Sequence, residues 1–240
     1  MIIVFGGIKG GTGKSTLAFH IATCAHMNNK KIVTIDCDFP QFSFSKYYEN
    51  RKKNKSLDEK LIWQNHHKIT DLTKLPDMIE KDTVYLIDTP GKYDPHITKI
   101  HGMADIIISP VNDSFLDIDT IMQLDQGKWA MPGYYYETIM ENKKYKKDSM
   151  WIVVRNRSTH INSKHKRTVE ERLTELSKRI NFTLMQGLRE RTIFRELFNE
   201  GSTVLDVESK KMSLSHLAAK MEVKLLWKTI ADYEKTVFNK

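Results

Sequence analysis

The stretch Lys9-Gly-Gly-Thr-Gly-Lys-Ser-Thr16 limits the fold more than any other part of the chain. It follows a short apolar run, Ile2–Phe5, and opens a helical pattern running from about Ser15 to Met27. A glycine-rich turn between a strand and a helix reads as a phosphate-binding loop when Gly-Lys-Ser closes it. Backbone N–H groups at Gly10, Gly11 and Gly13 can converge on phosphate oxygens because no Cβ obstructs them. The helix N-terminus adds partial positive charge. Lys14 is then placed to reach the β- and γ-phosphates of a nucleotide, and the Ser15 hydroxyl to ligate Mg²⁺. The whole turn (Lys9, Gly10, Gly11, Thr12, Gly13, Lys14, Ser15 and Thr16) forms the candidate contact surface for a nucleotide's phosphates.

A loop of this kind needs a sheet behind it, and the chain supplies one. Lys31–Ile35, Val84–Ile87, Ile106–Ser109 and Trp151–Val154 are further apolar runs. They end in Asp36-Cys-Asp38, Asp88-Thr-Pro-Gly91, Pro110-Val-Asn-Asp113 and Arg155-Asn-Arg157 respectively. The runs are continuous rather than alternating, as a sheet covered on both faces requires. Amphipathic helical patterns between them imply parallel pairing through right-handed crossovers. Polar residues at the strand C-termini lie where open α/β sheets bind ligands. The expected fold is a single α/β domain over residues 1–240, a mostly parallel twisted sheet with helices on both faces. Its nucleotide core spans about 1–160, and its C-terminal helices about 161–240.

Composition narrows the setting. At 240 residues, 40% hydrophobic and 28% charged, the chain can bury a core and is not disordered. Two cysteines, Cys24 and Cys37, are too few for a disulfide framework or a cysteine-rich metal site, which favours a reduced, cytoplasmic location. No apolar run approaches the roughly 18 residues of a membrane span, and Met1–Phe5 has neither basic flank nor cleavage site. Lys and Arg total 38 against 30 Asp and Glu, a net charge of +8 that favours polyanions as partners. Asn50–Lys55 and Lys143–Lys147 read as basic, exposed connections. Val223, Leu226, Ile230, Tyr233 and Val237 form an apolar stripe on a last helix. Docking onto the body of the fold is the expectation; a lysine-flanked membrane anchor is the alternative.

The additional lysine, Lys9, gives the turn the form Lys-Gly-Gly-x-Gly-Lys-[Ser/Thr], which resembles the deviant Walker A loop of the ParA/MinD ATPases. In that family the corresponding lysine reaches across a homodimer interface to the partner protomer's nucleotide. A second cation there would offset charge developing during phosphoryl transfer, as an arginine finger does. The resemblance implies that Asp38 orients the attacking water and that Asp36 acts through a Mg²⁺-bound water. It implies that Asp88 is the Walker B carboxylate, that Thr89-Pro90-Gly91 senses the γ-phosphate, and that Asn156 reads the adenine edge. The predicted catalytic set is therefore Lys9, Lys14 and Asp38, and the predicted metal set Ser15, Asp36 and Asp88.

Further blocks are similar to the MipZ branch of that family. They are Asp36-Cys-Asp-Phe-Pro-Gln41 with Lys46-Tyr-Tyr-Glu-Asn-Arg51, Pro110–Asp117, Arg155-Asn-Arg157, Arg172-Leu173, and Gly187-Leu-Arg-Glu-Arg-Thr-Ile-Phe-Arg-Glu-Leu-Phe198. The chain departs by being shorter between Ser56 and Thr70 and around Lys143–Ser149. The resemblance implies a slow, Mg²⁺-dependent ATPase of bacterial cytoplasm and nucleoid that dimerises on ATP. It also implies non-specific DNA binding, a ParB partner, inhibition of FtsZ assembly and no stable membrane association. By the same resemblance, Lys164 and Arg189 are candidate DNA contacts, with Arg167 standing in where the branch has an arginine and this chain has Thr168. Arg191 and Arg195 are weaker candidates, each able to pair with Glu190 or Glu196. A ParA-type chromosome or plasmid partition ATPase is the alternative, because it shares every catalytic residue.

Overall fold

The computed structural model describes residues 1–92, 94–125, 128–143, 146, 148–158, 164–208 and 212–238. Its centre is a seven-stranded sheet, every pair of which is parallel. In chain order the strands are β1 (Ile2–Phe5), β2 (Ile32–Asp36), β3 (His66–Lys68), β4 (Val84–Asp88), β5 (Ile106–Val111), β8 (Met150–Arg155) and β9 (Thr183–Gln186). Their spatial order is β3-β2-β4-β1-β5-β8-β9. Strands β6 (Met122–Asp125) and β7 (Lys128–Pro132) form a separate antiparallel hairpin.

The continuous apolar runs sit in the middle of this order, where both sheet faces are covered. Period-two alternation then sorts their side chains into two layers. Ile3 and Phe5 join a cluster with α1 (Lys14–Met27), α2 (Ser43–Lys53), α7 (Ile193–Glu200) and α8 (Leu214–Phe238). Ile2 and Val4 point the other way. They meet residues of α3 (Pro95–Met103), α4 (Phe115–Asp119), α5 (Tyr134–Lys143) and α6 (Lys164–Ile180). Helix α1 is buried nearly all round from Leu17 to Ala25, which explains why its sequence shows little amphipathic signal. The edge strand β3 is three residues long and mostly exposed, the usual way of blunting a sheet edge.

Helix α8 settles the C-terminal stripe up to Ile230. Val223, Leu226, Trp227 and Ile230 are buried in the cluster that contains α1, as expected for docking, while Val237 is exposed. No helix among the described residues is long and apolar enough to cross a membrane. One expectation holds only in part. Lys52, Lys53 and Lys55 of the Asn50–Lys55 stretch are exposed, but its first four residues finish α2 and Arg51 is fully buried. The Arg51 guanidinium donates to both carboxylate oxygens of Asp206 at 2.9 Å and to the carbonyls of Leu61 and Gly201. A charge run looks solvated in a sequence because its partner, here 155 residues away, cannot be seen. The Lys143–Lys147 stretch lies largely outside the described residues.

Candidate nucleotide site

Strand order places the sheet's C-terminal ends together, and β1, β2, β4, β5 and β8 all deliver candidate residues there. Gly13 starts α1 with φ of 91°, a left-handed backbone that a side chain would strain. A Cβ at Gly13 would also lie 2.4 Å from Asn156 Nδ2. The turn opens onto a cleft of about 860 Å³. Gly10, Gly11, Lys14 and Ser15 line it together with Asp38, the Pro90–Lys92 segment, Asn156, Leu188 and Phe194. The volume falls within the range of small-molecule sites.

Charge is concentrated at the phosphate end. Lys14 is buried, and its Nζ donates to the Lys9 carbonyl at 2.8 Å. Burial lowers its pKa, against the pull of Asp88 and Asp38. Asp88 is fully buried, and neither carboxylate oxygen has a hydrogen-bond partner. Burial and then Asp36 push its carboxyl well above the usual range, with Ser15 and Lys14 acting in the opposite sense. Asp38 is half-buried and also raised, first by burial and then by Asp36, while Lys14 and Lys92 oppose the shift. An unpaired buried carboxylate is costly, and a bound cation would offset that cost at Asp88.

Asp36 plays a different local part. Its carboxylate accepts from Asp38 N at 3.0 Å and from Ser45 N at 2.8 Å, shaping the turn that presents Asp38. The loop after β4 presses onto the phosphate turn. A Cβ at Gly91 would lie 2.5 Å from the Lys9 carbonyl group. Asn156 is buried, with Nδ2 donating to the Thr12 carbonyl at 2.7 Å and Oδ1 left without a partner. No group of three or more His, Cys, Asp or Glu poised for a metal occurs among the described residues. A divalent cation beside Ser15 and Asp88 would take phosphate oxygens and water for the rest of its shell.

Lys9 does not project freely. Its Nζ donates to Asp117 Oδ1 at 2.7 Å, an internal partner that the sequence did not reveal. Arg157 was missed as well: it adopts φ of 52° and donates to the Gly11 carbonyl at 2.7 Å. Both lie in sequence blocks already singled out, which was the available signal.

Of the candidate DNA residues, Arg189 lines this same cleft, together with Arg191 and Arg195. Lys164 and Arg167 occupy the first turn of α6 and are exposed; Arg189 is exposed after β9, with Nε 3.7 Å from Glu222. Arg191 forms a tight two-armed pair with Glu222, at 2.7 and 2.8 Å, and is committed to the fold. Arg195 pairs with Glu190, as anticipated.

A family model described as ATPase MipZ matches residues 1–231. A search of curated proteins finds no match. Solved structures share the fold. One is a Borrelia burgdorferi protein described as a plasmid partition protein, bound to AMPPNP. It has a TM-score of 0.63 and 16% identity over 95% of this chain and 98% of that one. The MinC:MinD cell division complex of Aquifex aeolicus gives 0.63 and 15%, covering 96% of each chain. A ParA family ATPase of Chlorobium tepidum gives 0.54 and 15%, over 93% and 96%.

Proposed function

We propose, for a chain that belongs to the MipZ family of ATPases, an ATP-driven monomer–dimer switch that hydrolyses ATP slowly and regulates the placement of cell division. The observation that carries the nucleotide chemistry is the unpartnered Asp88 carboxylate beneath a glycine turn that ends in Lys14 and Ser15. Triphosphate oxygens would displace the Lys9 carbonyl as the acceptor for Lys14 and offset the cost of keeping that ammonium buried. Asp38 stands at the mouth of the cleft, where it can orient water against the terminal phosphate. Bound Mg²⁺, held by Ser15 and through water by Asp88 and Asp36, would neutralise charge between the β- and γ-phosphates. Asn156 Oδ1 is free to accept from the exocyclic amine of adenine, and Leu188 and Phe194 provide apolar surface for the base.

Lys9 completes a second active site only when two protomers face each other, so a partner that prefers the dimer reads nucleotide state. We assign FtsZ as the regulated polymer, DNA and ParB as the factors that control where dimers dwell, and the bacterial cytoplasm and nucleoid as the location. Lys164, Arg167 and Arg189 would contact DNA phosphates without reading sequence. Size-exclusion with light scattering, in ADP and in a non-hydrolysable ATP analogue, tests the switch. Wild type should dimerise only with the analogue, and Lys9→Ala in neither. FtsZ sedimentation tests the target: equal pelleting with wild type in ATP, wild type in ADP and Lys9→Ala would favour a partition ATPase instead.

A further inference from the structure

Two apolar stripes run along α8, and the fold uses one of them. Val223, Leu226, Trp227 and Ile230 face the core. Leu214, Leu217, Met221 and Leu225, at i, i+3, i+7 and i+11, share the opposite side of the helix. Met221 and Leu225 are 64% and 55% exposed. Ten large hydrophobic side chains are exposed among the described residues, and four of them stand in this single row. Isolated apolar residues are ordinary on a surface; a row of four on one helix face marks a binding surface. The row covers about 16 Å, and its spacing is that of a seam by which one helix packs on another.

Lysines mark one side of the row. Lys220, Lys224 and Lys228 follow at i, i+4 and i+8, and the last two are exposed. The other side carries Glu222, whose carboxylate is taken by both arms of Arg191. Exposed Asp232 ends the face one turn beyond Lys228.

We propose that this outer face of α8 docks an amphipathic helix of another protein, one that lays Glu or Asp side chains along the lysine row. Charge decides the occupant. A second copy packed antiparallel across a two-fold axis would set lysine row against lysine row. Packed parallel, it would offer that row only Glu222, which Arg191 holds. An anionic lipid surface favours cations on both sides of an apolar stripe, whereas this one has a carboxylate on one side and Asp232 in its path. An acidic helix lying along the lysine side meets all of these constraints. No residue of α8 lines the nucleotide cleft, so the test needs neither ATP nor a dimer.

The probe is a fluorescein-labelled synthetic peptide of about four helical turns, with leucines at heptad spacing and glutamates along both flanks. A second peptide carries lysine in place of each glutamate. Fluorescence anisotropy with nucleotide-free protein should show the glutamate peptide binding at least about tenfold more tightly, with the gap narrowing as salt is raised. Met221→Ser with Leu225→Ser should weaken that binding at least about tenfold and leave Tm unchanged, since both side chains are more than half exposed. Lys224→Glu with Lys228→Glu should reverse the order of the two peptides, an outcome that a general loss of structure cannot produce. Equal affinity for both peptides, no measurable binding of either, or an unchanged order in the charge-reversed variant would overturn the proposal. So would a nucleotide-free dimer, seen by light scattering, that the double serine variant abolishes, because the face would then belong to a second copy. Flotation with phosphatidylglycerol vesicles by wild type, and not by the double serine variant, would overturn it in favour of a membrane surface.

Discussion

Replacing Asp206 by asparagine tests whether the buried Arg51 pair holds α2 to the C-terminal half of the fold. Asp206 accepts four hydrogen bonds: two from Arg51, and two from the backbone and hydroxyl of Thr203, both at 2.7 Å. The side chains are 0% and 3% exposed. The introduced amide would turn an N–H group toward one guanidinium arm and leave the Arg51 charge without a counter-ion. Breaking one member of a buried pair costs about 3–5 kcal/mol. For a chain of this length that is roughly a 10 °C fall in Tm. Thermal melting followed by circular dichroism, at fixed protein concentration without nucleotide, is the assay. Arg51→Met combined with Asp206→Leu should recover most of the loss, since apolar replacements often match a buried pair. Acidity gives an independent reading. Burial pushes the Asp206 carboxyl up, but Arg51 and Thr203 outweigh it and hold the pKa below the ordinary value of 3.8. The pair's contribution is therefore whole above about pH 4 and lost as pH falls through the lowered folded value. A Tm within about 2 °C of wild type for Asp206→Asn would refute the assignment.

Other outcomes follow from the same geometry. Asp38→Ala should bind the ATP analogue normally yet hydrolyse ATP at least about a hundredfold more slowly, accumulating as dimer; wild-type turnover would exclude it as the water-orienting group. Gly91→Ala would drive a methyl into the Lys9 backbone, so affinity for a fluorescent ATP analogue should fall roughly tenfold or more while the far-ultraviolet spectrum is unchanged. Fully buried His20 and His101 have pKa values lowered to about 4 by burial. Between that value and about 6.5 the unfolded chain binds more protons, so Tm should be level above pH 6.5 and decline as pH drops toward 4. Cys24 is buried and raised to about 11, and the Cys37 thiol is raised further, so neither should react with a maleimide at pH 7.5 until the chain is unfolded.

The parts of the fold legible in sequence were those with strong local periodicity. β1, β2, β4, β5 and β8 lie in the core and have no polar face to hide them. β3 and β9 went unseen, because an edge strand of three or four residues has too little apolar run to register. The β6–β7 hairpin was missed because only Met122 and Trp129 of its nine residues are buried. Within the site, the phosphate turn and the carboxylates ending β2 and β4 were visible because spacing along the chain defines them. Asp117 and Arg157 as partners of the turn were not, for their contacts join segments more than 100 residues apart.

Helix α2 is a strut pinned at both ends. Asp36 takes the N–H of Ser45 near its start, and the Arg51 cluster clamps its finish. The Cys37 N–H is also tied, to the Asp88 carbonyl at 2.9 Å. News of an arriving phosphate at Asp38 thus has no piston to push: travel along α2 would have to rupture a fixed point. Between these fixed points runs the short surface turn from Asp38 to Phe42, closed by the Phe42 N–H on the Asp38 carbonyl at 2.8 Å and carrying the outward-facing ring of Phe39, 58% exposed. A partner able to tell a nucleotide-loaded protein from an empty one through this helix would therefore meet the difference at close range, on the rim of the cleft.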